Sequence, residues 1–357
     1  MSPPIPRVVT VEALDDYAER IDVRSPAEYA DDHLPGAQSH PVLSNDERAR
    51  VGTLYAREGG FAAKRVGAAI MGRNIATLLE RDFAHKPRDW MPLVYCWRGG
   101  KRSAALANVL NEIGWHAVQL EGGYRAFRRH VLAALETLPA RFEFRVVCGL
   151  TGSGKSRLIG ALASEGAQVL DLERLAAHRG SLLGDLPDAP QPSQKHFETA
   201  MFEVLHRFDG RRPVYVESES KRIGRLQLPD ALLAAMRDAE CIRIELPQSL
   251  RAELLREEYV HFFDRIDDLV AQLGQLTELH GKDTIERWIA AARAGDWRSV
   301  VSSLLAQHYD PLYTRSTARN FPRHEQARIL HASSIDDAHF RELARTLLST
   351  DEPVVSV

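Results

Sequence analysis

A chain of 357 residues, 44% hydrophobic and 27% charged, is too long for one ordinary core, and its composition is that of a globular protein, so two domains are expected. A formal net charge of -3 excludes a globally basic nucleic-acid binder and leaves only local basic clusters for such a role. Cysteines at 96, 148 and 241 form neither a disulfide framework nor a zinc pattern, and the chain shows no secretory leader or membrane-length apolar run, so a cytoplasmic protein without a membrane partner is expected.

The predicted elements of the first part alternate short strands with helices. Ile21-Asp22-Val23 reads as a strand ending in a turn, and Ser25-Pro26-Ala27-Glu28 as a helix start with proline just inside the cap. A charged, helix-prone stretch from about Leu43 to Trp90 reads as an insertion. Leu93-Val94-Tyr95 has the pattern of a buried strand, and "CWRGGKRS" at 96–103 cannot continue it. Residues 104–113 have helical spacing and stop at Gly114, while Ala117 to Leu120 is a strand closed by Gly122-Gly123. Leu138-Pro139-Ala140 reads as a linker, which sets the expected domains at 1–138 and 139–357.

Past the linker, Phe144 to Cys148 is a fresh strand, followed by "GLTGSGKS" and a helix through Ala163. Gln168-Val169-Leu170 is a strand with Asp171 at its end, Val214-Tyr215-Val216 is another ending in Glu217-Ser218-Glu219-Ser220, and Cys241 to Leu246 is a fourth. Such alternation implies a parallel sheet covered on both faces. From Leu250 onward the pattern is mostly helical, clearest at 257–276 and 283–294. The expected fold class is α/β throughout, with an N-terminal α/β domain before a P-loop NTPase-like parallel-sheet domain that ends in a helical part.

Gly149 to Ser156 matches G-x-x-x-x-G-K-[ST] in full, between an apolar strand and a helix. Gly149, Gly152 and Gly154 permit a turn whose N–H groups converge on phosphate oxygens, and the helix N-terminus adds positive potential. Lys155 can neutralise a terminal phosphate, and the Ser156 hydroxyl can reach a Mg2+ ion. A plain glycine-rich connector would lack that strand–turn–helix context. Glu217 is the leading candidate for an acidic partner near the metal, ahead of Asp171 and Glu173, although strand-ending carboxylates are often only solvated edges. No tightly bound cofactor is expected.

A lone cysteine is usually a packing residue, and Cys148 and Cys241, inside apolar strands, take that reading. Cys96 instead opens a loop carrying Arg98, Lys101, Arg102 and backbone N–H groups, surroundings that favour a thiolate. Two basic clusters, Arg125, Arg128 and Arg129, then Lys221, Arg222 and Arg225, follow the two candidate sites in sequence. Clusters of this size are more often solvated faces than binding surfaces.

Four segments in order resemble the rhodanese family across nearly the whole first domain: "IDVRSPAEY" at 21–29, "HLPGA" at 33–37, "CWRGGKRS" and "LEGGYRAF" at 120–127. The resemblance implies a loop cysteine that carries sulfur or a related chalcogen. Cys96 is then the carrier, with Arg102 and the loop N–H groups stabilising the anion. Five residues separate Cys96 from Arg102, where single-domain rhodaneses commonly have four. The wider loop resembles the cradle of protein tyrosine phosphatases, except that Tyr95 stands where those enzymes usually place histidine.

The order of the two halves, together with "NDERARVGTLYAREGG" at 45–60, "HRGSLLG" at 178–184, "QPSQKHFE" at 191–198, "VESESKRIG" at 216–224 and "YDPLY" at 309–313, resembles the bacterial tRNA 2-selenouridine synthase family over almost the full chain. That resemblance implies a transferase that replaces sulfur by selenium in wobble 2-thiouridine of tRNA, using selenophosphate, through an S-geranylated intermediate made from geranyl diphosphate. It implies tRNA as a partner, for which the two basic clusters, placed beside both candidate sites, are the candidate contacts, and an enzyme that supplies selenophosphate as another. Two other classes compete: a signalling enzyme joining a cysteine phosphatase to a P-loop kinase, and a non-catalytic regulator gated by a P-loop switch.

Overall fold

The computed structural model of the chain describes residues 7–98, 100–181, 183–186 and 188–351. Two compact units divide it: Met1–Ala134 with Ser193–Glu203, and Leu135–Pro192 with Val204–Val357.

The first unit is built on strands β1 (Arg7–Val9), β2 (Arg20–Asp22), β3 (Ala37–Ser39), β4 (Leu93–Tyr95) and β5 (Val118–Leu120). Their order is β1-β5-β4-β2-β3, with every described pairing parallel. β4 is central, and its three residues are wholly buried. Around the sheet run α1 (Pro26–Asp31), α2 (Asn45–Glu58), α3 (Gly60–Leu78), α4 (Lys101–Ile113) and α5 (Gly123–Thr137). Ser25 and Glu28 close a reciprocal cap at the start of α1, with Pro26 in its first turn. Gly114 ends α4 in the left-handed region, at φ 106°, where other residues are strained. The helix-prone 43–90 stretch supplies α2 and α3; α3 inserts Ile70, Ile75 and Leu78 toward the core, while α2 buries none of its residues.

The second unit carries β6 (Phe144–Cys148), β7 (Gln168–Leu170), β8 (Val214–Glu217), a small antiparallel pair β9 (Arg222–Ile223) and β10 (Leu226–Gln227), then β11 (Glu240–Glu245) and β12 (Arg328–His331). The main sheet runs β12-β11-β6-β8-β7, again parallel among the described residues. Its helices include α6 (Lys155–Ser164), α7 (Leu172–Ala176), the end of α8 (Gln194–His206), α9 (Asp230–Arg237) and α10 (Gln248–Glu258). Leu158 and Leu162 on α6 are fully buried with Val147, Ile244 and Phe340. Truncating either leucine to alanine would cost about 2–5 kcal/mol.

The region after Leu250 is mostly helical, as expected, and β12 adds an edge strand beside β11 within it. Two expectations need correction. The expected 257–276 helix is broken: α10 ends at Glu258, and a new helix begins at Ile266 with Asp267 and Asp268 favouring its N-terminus. The Leu138-Pro139-Ala140 segment, expected as a linker, is a 3-10 turn with Leu138 and Pro139 buried. No helix among the described residues is long and apolar enough to cross a membrane.

Two candidate sites at strand ends

Parallel sheets place ligands beyond the carboxyl ends of their strands, and both candidate sites lie there. In the first unit, Cys96 follows β4 directly and is only 3% exposed. Its sulfur accepts the Gly100 N–H at 3.3 Å and shares a hydrogen bond with the Ser103 hydroxyl, also at 3.3 Å. Gln119 on β5 donates to that same hydroxyl at 2.9 Å. The thiol thus sits at the N-terminal end of the thirteen-residue α4, where the helix field favours negative charge. Gly99 of the loop lies outside the described residues.

The loop rests on a built floor. Trp97 stacks on Tyr124, with ring centroids 5.3 Å apart, and Tyr124 donates to Asp32 at 2.7 Å. Thr199, from the α8 segment that belongs to this unit, donates to the same carboxylate at 2.9 Å. Burial pushes the Asp32 carboxyl up, but bonds from His196, Tyr124 and Thr199 hold it below its usual range. The buried Arg24, paired with Asp22 at 2.6 Å, lies 4.1 Å from the Tyr124 ring centre.

Arg102, expected from the resemblance to stabilise an anion on the sulfur, is engaged with an acidic partner in the structure. Its guanidinium makes two contacts with Glu28, at 2.7 and 3.2 Å. Tyr95 is fully buried, and its hydroxyl accepts the Leu34 N–H at 3.2 Å. Of the other loop cations, Arg98 and Lys101 are exposed, and the neighbouring Lys64 lowers the Lys101 pKa.

In the second unit, the P-loop spans the gap from β6 to α6. A side chain on Gly149 would collide with Ser153 and with the Ile244 carbonyl, at 2.4 and 2.7 Å; Gly154, at φ 87°, would strike the Phe340 ring at 2.4 Å. Gly152 and Gly154 line a cleft of about 720 Å³ with Lys155, Ser156, Glu173 and Glu219. The Lys155 ammonium donates to the Gly149 carbonyl at 2.8 Å and lies 4.9 Å from the Tyr313 ring centre. Burial works against its charge, but Tyr313, Glu173 and Glu219 hold its pKa above the ordinary value.

The three candidate acidic residues take different places beside the P-loop. Ser156 donates to Glu173 at 2.7 Å, so the carboxylate on the P-loop hydroxyl is Glu173 rather than Glu217 or Asp171. Glu217 is fully buried; one oxygen accepts the Leu172 N–H at 3.1 Å, and the other has no hydrogen-bond partner among the described residues. Burial, then Asp171 and Glu173, pushes its pKa well above the carboxylate range. Asp171 caps α7 by accepting the Arg174 N–H at 2.9 Å. Glu219 is pushed up to about 7 by burial and by Glu173, against the pull of Lys155.

Other contacts had no local signal in the sequence. The Tyr313 hydroxyl accepts the Gly149 N–H at 2.9 Å and bonds Ser218 at 2.7 Å. Arg251, 4% exposed, donates to the Thr151 carbonyl at 2.9 and 2.8 Å and pairs with Asp310 at 2.6 Å. Both Tyr313 and Asp310 fall in the "YDPLY" segment.

The basic clusters separate into two kinds. Arg125, Arg129 and Arg222 are exposed. Arg128 is half-buried and pairs with Glu198. Lys221 pairs with Asp230 at 2.7 Å, and Arg225 donates to the carbonyls of Gln191 and Pro192. Lys221 and Arg225 are exposed like the first three, so only Arg128 is partly buried.

Two family models match: "tRNA 2-selenouridine synthase AAA domain" over residues 142–280 and "Rhodanese-like domain" over 11–130. A tRNA 2-selenouridine synthase of Aeromonas salmonicida (strain A449) is 33% identical over 331 residues, covering 82% of this chain and 85% of that protein. One from Nitrosomonas europaea is 36% identical over 247 residues, covering 67% and 63%. A third, from Hahella chejuensis, is 33% identical over 329 residues, covering 83% and 84%.

Proposed function

The chain belongs to the tRNA 2-selenouridine synthase family, and from that premise we propose that it is a transferase converting wobble 2-thiouridine of tRNA to 2-selenouridine in the cytoplasm, by way of S-geranylation. The observation that carries the reading is the presence in one chain of a thiol at a helix N-terminus and a phosphate cradle with its lysine in place.

Thiocarbonyl sulfur leaves poorly until it is alkylated. In the first step the sulfur attacks C1 of geranyl diphosphate, the C1–O bond breaks, and the N3 proton is released to solvent. The departing diphosphate is stabilised by Lys155 and the P-loop N–H groups. In the second step selenium of selenophosphate adds to C2, the C2–S bond breaks, and geranylthiol leaves with a proton. Water then cleaves the P–Se bond and releases phosphate. Cys96 serves this step by holding the selenium donor at the start of α4. A separate enzyme supplies the selenophosphate.

The Ser156 hydroxyl with the Glu173 carboxylate, both lining the cleft, offers hard oxygen donors of the kind Mg2+ takes, while the expected partner Glu217 is fully buried and keeps an oxygen without a partner among the described residues. Among the described residues no three His, Cys, Asp or Glu side chains could hold a metal by themselves, so phosphate and water would complete the shell. Bound there, Mg2+ would neutralise charge on the leaving diphosphate.

Mass analysis of wobble nucleosides from cells with and without this gene tests the reading; unchanged selenouridine and geranylthiouridine would overturn it. The full P-loop motif favours a second reading, a nucleotide switch. Competition between labelled ATP and geranyl diphosphate on the pure protein separates the two.

A further inference from the structure

The phosphate cleft has an apolar neighbour. Thr151, Leu255, Tyr259 and Tyr309 line both the cleft and a second cavity in the helical part of the second unit. Deeper walls come from Phe262, Leu269, Trp297, Val300, Val301 and Leu304. Apart from Thr151 and Arg256, every side chain around this cavity is aliphatic or aromatic. The Tyr259 hydroxyl is engaged with Ser181 at 3.2 Å, and its ring stacks on Phe262.

Such a lining discriminates between ligands. A nucleobase carries donors and acceptors that cost free energy when buried without partners, whereas a branched hydrocarbon needs only apolar contact. Close-packed interiors also leave few apolar voids, so one that adjoins the third residue of a phosphate loop asks for an occupant. The occupant must present phosphate toward Lys155 and hydrocarbon toward Val300 and Leu304. We propose that this cavity is the isoprenyl-chain subsite of the P-loop, holding the hydrocarbon of an allylic diphosphate whose head group lies in the cradle. The assignment rests on the reading that the cradle takes geranyl diphosphate. Val301, half-buried in the wall, sets the chain length accepted.

Calorimetry on the full chain tests this with inorganic pyrophosphate, geranyl diphosphate and farnesyl diphosphate as probes. The wild-type protein should bind geranyl diphosphate at least tenfold tighter than pyrophosphate. Val301→Trp should abolish that preference while leaving pyrophosphate affinity unchanged, which also shows that the cradle is folded. Val301→Ala should move the preference toward farnesyl diphosphate, and it decides the matter alone if the tryptophan variant fails to fold. A wild-type protein with no preference for geranyl diphosphate would overturn the reading of the cradle, and the subsite with it. A strong wild-type preference that neither variant alters would leave that reading standing and overturn the cavity assignment.

Discussion

Arg102 grips Glu28 across 74 residues of sequence, and that one carboxylate serves three helices. It completes the cap of α1 with Ser25, receives Arg48 of α2 at 3.1 Å, and holds the first turn of α4 through Arg102. The cysteine loop ends where α4 begins. Its shape therefore depends on an ion pair that fixes the Arg102 guanidinium on Glu28.

This geometry predicts an acid-sensitive first unit. Burial pushes the Glu28 carboxyl up, but Arg102 outweighs it and brings the pKa from 4.5 to about 2. A depressed carboxyl contributes stability that is full above about 4.5 and is lost as pH falls through about 2. The contribution is on the order of 3 kcal/mol at most. Urea titrations should show Glu28→Gln less stable at pH 7 by about 1–3 kcal/mol, with a flatter decline in acid. Equal acid declines in both proteins would show that the pair contributes nothing.

Lys155→Ala should remove the main cation facing the phosphates while α6 keeps its buried face. Diphosphate affinity should fall by about 10- to 100-fold, the worth of one charge-assisted contact. Geranylation and overall conversion from 2-thiouridine should be lost. Pre-geranylated tRNA supplied to the variant should still be selenated. Failure on both substrates, with tRNA binding intact, would place the P-loop in the selenium step too.

What the sequence made legible was local. Strands 93–95, 144–148 and 168–170 coincide with the predicted runs because each is a short apolar segment bounded by turn residues. The P-loop was readable because its phosphate-binding groups are consecutive. Partners chosen by folding were not readable. Gly149 meets Tyr313 across 164 residues, and Arg251 meets Asp310 across 59. β12 escaped because an edge strand of four residues carries little periodic signal. Charge was the least informative guide. Nothing in "YRAFRR" distinguishes Arg128, held by Glu198, from the exposed Arg125 and Arg129.

That division sharpens the tRNA expectation. Replacing Arg125 and Arg129 together by alanine should weaken tRNA binding and flatten its dependence on salt. Each lost phosphate contact removes about 0.7–0.9 from the slope of log affinity against log salt. Arg128→Ala should instead lower the stability of the first unit, because Glu198 loses its partner. Filter binding across a salt series, beside thermal melts, distinguishes them. An unchanged slope in the double variant would make these arginines a solvated face.

Cys96→Ser separates a working thiol from a packing one. Serine keeps the size and the hydrogen bonds to Gly100 and Ser103, but its hydroxyl stays protonated near neutral pH. If Cys96 handles selenium, the variant should fold, bind tRNA and still form the geranylated nucleoside. It should then stall, so geranylthiouridine accumulates in cells while selenouridine disappears. Cys148→Ser and Cys241→Ser should not reproduce that block. Both residues are buried in adjacent strands of the second unit, and the hydrogen-bonding Cys241 neighbour, then burial, pushes the Cys148 thiol pKa up. Their replacement puts a hydroxyl into an apolar interior, at a cost of about 1–3 kcal/mol, and should impair both steps together. Normal selenouridine in cells carrying folded Cys96→Ser protein would show that the thiol is dispensable.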